Sequence, residues 1–148
     1  MKLRLASAED ATQILAIYEP YILNSTITFE NETPALAEFQ KRITENLEKF
    51  PWIVAEENKK VIGYAYAGPY KTRAGYAWSV ETSVYVHQDF QRRGIGKALY
   101  LKLLELSSAA AHFSFLSYKI EHTNYYNSEK SIYEAAGYPF IVPELRDN

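Results

Sequence analysis

Apolar and polar residues alternate over Lys2–Ala6, the period-two pattern of a short strand. The period then lengthens. Ser7-Ala8-Glu9-Asp10 is close to a capping box and predicts a helix with Ile14, Leu15 and Ile17 on its inner side. Pro20 is expected to kink or end that helix. Ser25–Asn31 reads as a polar and aromatic connection, and Pro34 opens a second helix. Its apolar residues Leu36, Phe39, Ile43, Leu47 and Phe50 fall at spacings of three and four, an amphipathic stripe. Trp52–Ala55 and Val61–Ala67 are expected to pair as a hairpin across Glu56–Lys60. Gly68-Pro69 should break the second strand, with a loop running to Ala74-Gly75. Val80–Val86 reads as the next strand, followed by a Gly-rich turn and a helix to about Ser108. Beyond it, Phe113–Ile120 reads as a strand, Ser128–Ala136 as a short helix ended by Gly137, and Phe140–Val142 as a last strand. No linker, repeat or low-complexity tract interrupts this order, which predicts a single α/β or α+β domain over residues 1–148.

Composition narrows the chemistry. A chain of 148 residues, 47% hydrophobic and 23% charged, is ordinary for one globular domain with a real core. A net charge of −2 gives no reason to invoke nucleic acid or an anionic membrane. The absence of cysteine excludes disulfides, thiolate metal sites and a catalytic thiol, and fits a cytoplasmic setting. The start of the chain lacks a long apolar run, so neither a signal peptide nor a membrane span is expected. His87, His112 and His122 show no ligand spacing, so no metal is expected. Thirteen tyrosines are unusual; most read as packing residues with a wet hydroxyl.

The most informative stretch joins the Val80–Val86 strand to the helix after it. Gln91-Arg92-Arg93-Gly94-Ile95-Gly96 lets the backbone come close to a ligand, and the helix start adds unpaired N–H donors and partial positive charge. Together with Arg92, Arg93 and Lys97 this makes a seat for a pyrophosphate. The spacing of a phosphate-binding loop in nucleotide hydrolases is absent, and Leu99 stands where the dinucleotide fingerprint needs a third glycine. On spacing alone, a plain strand-to-helix turn with a solvated basic edge remains the alternative.

Gln91–Gly96 resembles the Q/R-x-x-G-x-G/A loop of the GNAT N-acetyltransferases, and the strand before it and helix after it stand where that family has them. The resemblance implies a mixed central sheet flanked by helices, with acetyl-CoA as co-substrate bound along Val84, Tyr85, Val86 and the loop Gln91, Arg92, Arg93, Gly94, Ile95, Gly96 and Lys97. Within the superfamily, Tyr21–Thr26, Phe50–Glu56, Ala65–Arg73 and above all Tyr76–Val86 resemble the phosphinothricin N-acetyltransferases of the herbicide-resistance type and their methionine sulfoximine relatives. This implies a small amino-acid acceptor, direct transfer to its α-amine, and a homodimer.

The chemistry can be argued beside the resemblance. Acetyl transfer to an amine needs a base, because such amines are mostly protonated at neutral pH. Glu81, flanked by Val80 and Val84, is the candidate, and a raised pKa would suit it; its alternative is an exposed strand glutamate. The matching glutamate is the family's proposed general base. Lys71 and Arg73 match the family's substrate contacts, and cations with directional donors suit an acceptor carrying a carboxylate and a second polar group. A solvated charged loop is the alternative. Phe29, Tyr76, Ser83 and Tyr85 also match pocket positions, although Phe29 and Tyr85 read equally as packing residues.

Ile132–Tyr138 resembles the GNAT segment ending Leu-Tyr/His-Glu-x-x-Gly-Phe, which makes Tyr133 a candidate acid for the leaving thiolate, with a packing tyrosine as the alternative. Asn127 is the candidate contact to coenzyme A, one residue closer to the glycine than the pattern, with Asn124 two further away. Relatives continue well beyond Tyr138 with a closing strand, so an abbreviated C-terminus is expected. Two other readings stay open: a GNAT acting on another small amine or a protein N-terminus, and a degenerate acyl-CoA-binding protein without turnover.

Overall fold

Side chains alternate across a strand, and here the alternation decides which helix covers which face. The computed structural model describes residues 1–71 and 80–110. Strands β1 (Lys2–Leu5), β2 (Trp52–Glu57), β3 (Lys60–Pro69) and β4 (Val80–Val86) form one antiparallel sheet in the order β1-β2-β3-β4. Helices α1 (Ala11–Asn24) and α2 (Leu36–Leu47) cover one face, and α3 (Ile95–Ala110) covers the other. Trp52, Val54, Val61, Tyr64 and Tyr85 turn toward α1 and α2, where Ile14, Ile17, Phe39 and Ile43 are buried. Ile53, Ala55, Ile62, Ala65 and Ala67 turn the other way, onto Ile95, Leu99 and Leu103. Each of the large apolar side chains among them contributes about 1.5–3 kcal/mol by leaving water, which is why pattern outweighs local propensity here.

The alternation fails once. Ala55 pairs with Gly63 while Glu56 pairs with Val61, so Ile62 has no residue opposite it. This bulge lets Val61 and Tyr64 share a face although they are an odd number of positions apart. The Ile62 carbonyl accepts from the His87 N–H at 3.0 Å and so fixes the end of β4.

Three boundaries differ from the sequence reading. Helix α1 runs through Pro20 to Asn24. Tyr18 on one side and Ile22 on the other are both buried, and that burial offsets the missing hydrogen bond. The α2 stripe stops at Leu47; Phe50 lies past the helix and packs into the α3-side cluster, on the face opposite Phe39 and Ile43. Strand β3 continues through Gly68 to Pro69, and the hairpin closes through Asn58 and Lys59, both at positive φ (51° and 64°). The primed turn that two such residues make matches the twist of the strands and shortens the expected loop. The elements expected over 113–120, 128–136 and 140–142, and the loop to Ala74-Gly75, lie outside the described residues.

One buried carboxylate ties the first elements together. Asp10 accepts from both Arg4 guanidinium nitrogens at 2.7 Å and from the Ser7 N–H at 2.8 Å, while Arg4 Nε donates to Glu56 at 2.9 Å. The Arg4 hydrogen bonds, opposed by burial, hold the Asp10 carboxyl below the usual carboxylate range. A carboxyl whose folded pKa is lowered adds stability above its unfolded pKa, about 4, and loses it as pH falls through the folded value. Asp10→Ala is therefore expected to cost about 1.5–3 kcal/mol at neutral pH. Urea midpoints for both proteins should converge below about pH 4; equal spacing at every pH would remove the charge argument.

Candidate active site

Strand β4 sets out the site because its neighbours in the sheet fix which way each residue faces. Directly opposite residues share a face, and the register pairs Trp52 with Tyr66 and Tyr66 with Ser83 in one row. Tyr64 pairs with Tyr85 in the next row on one side, and Gly68 with Glu81 in the next row on the other. Glu81, Ser83 and Tyr85 therefore look toward α1 and α2, whereas Val84 and Val86 look toward α3. Among the described residues β4 is an end strand. Because the His87 N–H is directed at β3, alternation turns the main-chain polar groups of Val84 and Val86 outward.

On the α3 side these residues meet a helix N-terminus. The first N–H of α3 with a backbone partner four residues back is that of Ala98, bonded to the Gly94 carbonyl at 3.0 Å. The N–H groups of Ile95, Gly96 and Lys97 are left for another acceptor. Gly94 has φ +76° and Arg92 φ +60°, a backbone that folds successive N–H groups around a concavity. A Cβ on Gly96 would lie 3.7 Å from Val86 and 3.9 Å from Val84, filling the space between the helix start and β4. An anion fits such a cradle.

The cations divide. Arg93 donates to both Glu57 carboxylate oxygens at 3.2 Å and lies 5.2 Å from the centre of the Phe90 ring, with Lys60 5.1 Å from the same ring. Arg93 thus braces the loop against the β2–β3 hairpin through an exposed ion pair. Arg92 and Lys97 are exposed and have no ion-pair partner among the described residues.

The opposite face carries an aromatic array. Trp52 stacks on Tyr66 at 4.3 Å, Tyr64 on Tyr85 at 5.1 Å, and Tyr18 meets Tyr85 edge-on at 5.1 Å. Burial is the main cause raising the pKa of Tyr64, Tyr66 and Tyr85, with the Ser83 hydroxyl working against it at Tyr66. All three stay phenols at neutral pH and act as hydrogen-bonding walls, not as bases. Above Trp52, Tyr64 and Tyr66 is a cavity of about 180 Å³, closed at the sides by Tyr18 and Phe39. Asn46 and the Glu30–Arg42 ion pair complete it, and Arg42 also donates to Glu38 at 2.7 Å.

Of the sequence-derived acceptor residues, Glu81 is exposed on the cavity side of β4, and Ser83 and Tyr85 share its face. Lys71 is exposed at the end of β3, its ammonium 5.0 Å from the Tyr70 ring centre. Phe29 does not line this cavity: the residue is 98% exposed in the α1–α2 connection. Arg73, Tyr76, Asn127 and Tyr133 lie outside the described residues.

Tyr21 has a place that sequence reasoning missed. Its hydroxyl donates to the Val86 carbonyl at 2.7 Å and accepts from Gln91 Nε2 at 3.1 Å, joining α1 to both ends of the strand–loop junction. Its ring meets Tyr85 edge-on at 5.3 Å. The spacing of Tyr18 and Tyr21 on one helix face was the available signal, lost among so many tyrosines.

Comparison with known proteins agrees with this geometry. The acetyltransferase (GNAT) domain family matches residues 3–144. The phosphinothricin N-acetyltransferase of Streptomyces viridochromogenes is 38% identical over 109 residues, 74% of this chain and 60% of that protein. The L-methionine sulfoximine/L-methionine sulfone acetyltransferase of Salmonella typhimurium is 33% identical over 109 residues, 71% of this chain and 62% of that protein. A crystal structure of a GNAT superfamily phosphinothricin acetyltransferase from Sinorhizobium meliloti, in complex with acetyl-CoA, superposes with a TM-score of 0.75. It is 31% identical and covers 92% of this chain and 73% of its own. The chain thus spans about 60% of the length of the curated relatives.

Proposed function

The chain belongs to the GNAT acetyltransferase family, and from that membership we propose that it transfers the acetyl group of acetyl-CoA to the α-amine of phosphinothricin-like or methionine-derived amino acids. The observation that carries this reading is the pairing of two half-sites on one strand. Val84 and Val86 face the open α3 N-terminus, while Glu81 and Ser83 lie on the opposite sheet face, the one that carries the aromatic cavity.

In this reading the N–H groups of Ile95, Gly96 and Lys97, with Arg92 and the Lys97 ammonium, hold the pyrophosphate. Acetyl-CoA supplies the acetyl thioester. Glu81 takes a proton from the acceptor ammonium, directly or through a water. The neutral amine nitrogen then attacks the thioester carbonyl; the C–N bond forms, the C–S bond breaks, and the sulfur takes a proton. Tyr133 and Asn127 keep the acid and coenzyme roles that resemblance gives them. Lys71 and Arg73 hold the acceptor carboxylate. A cytoplasmic homodimer belongs to the same reading; among the described residues no helix is long and apolar enough to cross a membrane.

The test is thiol release from acetyl-CoA with phosphinothricin, methionine sulfoximine and methionine sulfone, against unrelated amines as controls. Turnover confined to the amino-acid analogues supports the reading; coenzyme binding without turnover sinks it. Tyr21→Phe checks the junction. Loss of the hydroxyl is expected to raise the KM for acetyl-CoA about three- to tenfold with kcat nearly unchanged, the size of one lost hydrogen bond. A fall in kcat alone would place Tyr21 in the chemistry instead.

A further inference from the structure

Two tyrosines one turn apart on α1 hold two different loops. Residues three apart on a helix share a face, and Tyr18 and Tyr21 both meet the Tyr85 ring edge-on, at 5.1 and 5.3 Å. Their hydroxyls then diverge. The Tyr21 hydroxyl takes the Val86 carbonyl and the Gln91 amide, at the start of the Gly-rich loop. The Tyr18 hydroxyl shares a hydrogen bond of 2.6 Å with the Thr28 hydroxyl, in the α1–α2 connection.

The connection leans on such bonds because apolar burial does little for it. Ile27 and Phe29, on either side of Thr28, are 66% and 98% exposed. The Thr28 hydroxyl also accepts from the Glu30 N–H at 3.2 Å, and the Ser25 hydroxyl donates to the Tyr21 carbonyl at 2.6 Å. The Glu30 carboxylate pairs with Arg42 and, like Tyr18, borders the aromatic cavity. A segment held by side-chain hydrogen bonds at the surface opens locally far more readily than a core strand. That opening is an equilibrium a distant ligand can shift.

We propose that α1 couples the Gly-rich loop to this connection, with Tyr21 and Tyr18 as the positioning residues. A ligand that orders the Gln91–Lys97 loop fixes both partners of the Tyr21 hydroxyl. That steadies the last turns of α1, which carry the Tyr18 hydroxyl and the carbonyl that anchors Ser25. Less conformational entropy is then left to lose at the connection, so the two ordering events favour each other. That the ligand is coenzyme A rests on the acetyltransferase reading; the coupling goes beyond it, since the connection tightens before any acceptor arrives. Linkage makes the effect reciprocal, so a change at Thr28 alters coenzyme affinity.

The experiment is a double-mutant cycle on the affinity for coenzyme A, read by calorimetry in wild type, Tyr21→Phe, Thr28→Val and the double variant. Hydrogen exchange over residues 25–33 is followed in parallel, with and without saturating coenzyme. Valine keeps the shape of Thr28 without its hydroxyl. Thr28→Val should weaken coenzyme binding about two- to fivefold, although the hydrogen bonds it removes are to Tyr18 and Glu30. The double variant should bind no more weakly than Tyr21→Phe alone. Saturating coenzyme should slow exchange of the Ile27 and Glu30 amides about fivefold in wild type and less than about twofold in either variant. A merely structural role would leave the affinity losses additive and the coenzyme-induced protection intact. Unchanged affinity in Thr28→Val, additive losses, or exchange indifferent to coenzyme overturns the coupling and leaves the acetyltransferase reading standing. The expected pattern without turnover of any acceptor sustains the coupling and sinks that reading. Absence of coenzyme binding overturns both.

Discussion

Glu81→Gln is expected to slow acetyl transfer by roughly 10²- to 10⁴-fold at neutral pH, with little change in the affinity for acetyl-CoA. The glutamine keeps the size and most of the hydrogen-bonding capacity of the side chain but cannot take a proton. Glu81 is exposed on the cavity side of β4 and makes no hydrogen bond or ion pair among the described residues, so its loss should leave the fold intact. The deficit should shrink as pH rises, because the acceptor amine then loses its proton to bulk water and needs the carboxylate less. Thiol release followed from neutral to alkaline pH measures this. A variant as fast as wild type at neutral pH would dismiss Glu81 as the base.

Gly63→Ala carries a large expected effect on stability and on coenzyme binding together. A Cβ at Gly63 would lie 3.0 Å from the Tyr85 carbonyl oxygen, 3.1 Å from Leu99 and 3.2 Å from Ile95. The first contact is backbone in a paired strand and cannot step aside; the other two belong to the buried seam between α3 and the sheet. Overpacking of this kind costs about 1–3 kcal/mol, and separating β4 from α3 should also spoil the coenzyme cradle. Gly96→Ala makes the contrast, since its Cβ would meet only Val86 and Val84 at ordinary contact distances. Urea midpoints should fall for Gly63→Ala and stay put for Gly96→Ala, while acetyl-CoA affinity falls in both. Equal midpoints for the two would mean that the bulge yields easily.

Much of this architecture was legible in the order of residues. The strands over residues 2–6 and 80–86, the α2 stripe and the glycines at 94 and 96 are local patterns, and local patterns survive folding. Phe50 fits the α2 spacing as well as Leu47 does; only the end of the helix sends it to the other face. Pro20 is misleading for a related reason, as burial of Tyr18 and Ile22 outweighs a local rule. The cavity was not legible at all. It is assembled from α1, α2, β2, β3 and the α1–α2 connection, and no motif spans such separations. The contact of Arg93 with Glu57, 36 positions away, is invisible for the same reason. Tyr18, Tyr64, Tyr66 and Tyr85 pack as tyrosines are expected to, but Tyr21 also spends its one proton on a strand carbonyl beside the loop.

The alternation along β4 also bears on how such an enzyme changes over generations. Odd positions, Glu81, Ser83 and Tyr85, turn to the face under α1 and α2, and even positions, Thr82, Val84 and Val86, turn to the face under α3. On the proposed assignment, a substitution at an odd position changes the face offered to the acceptor, and one at an even position changes the face offered to the coenzyme. Acceptor choice can then vary one alternate residue at a time while the coenzyme face of the same strand is kept.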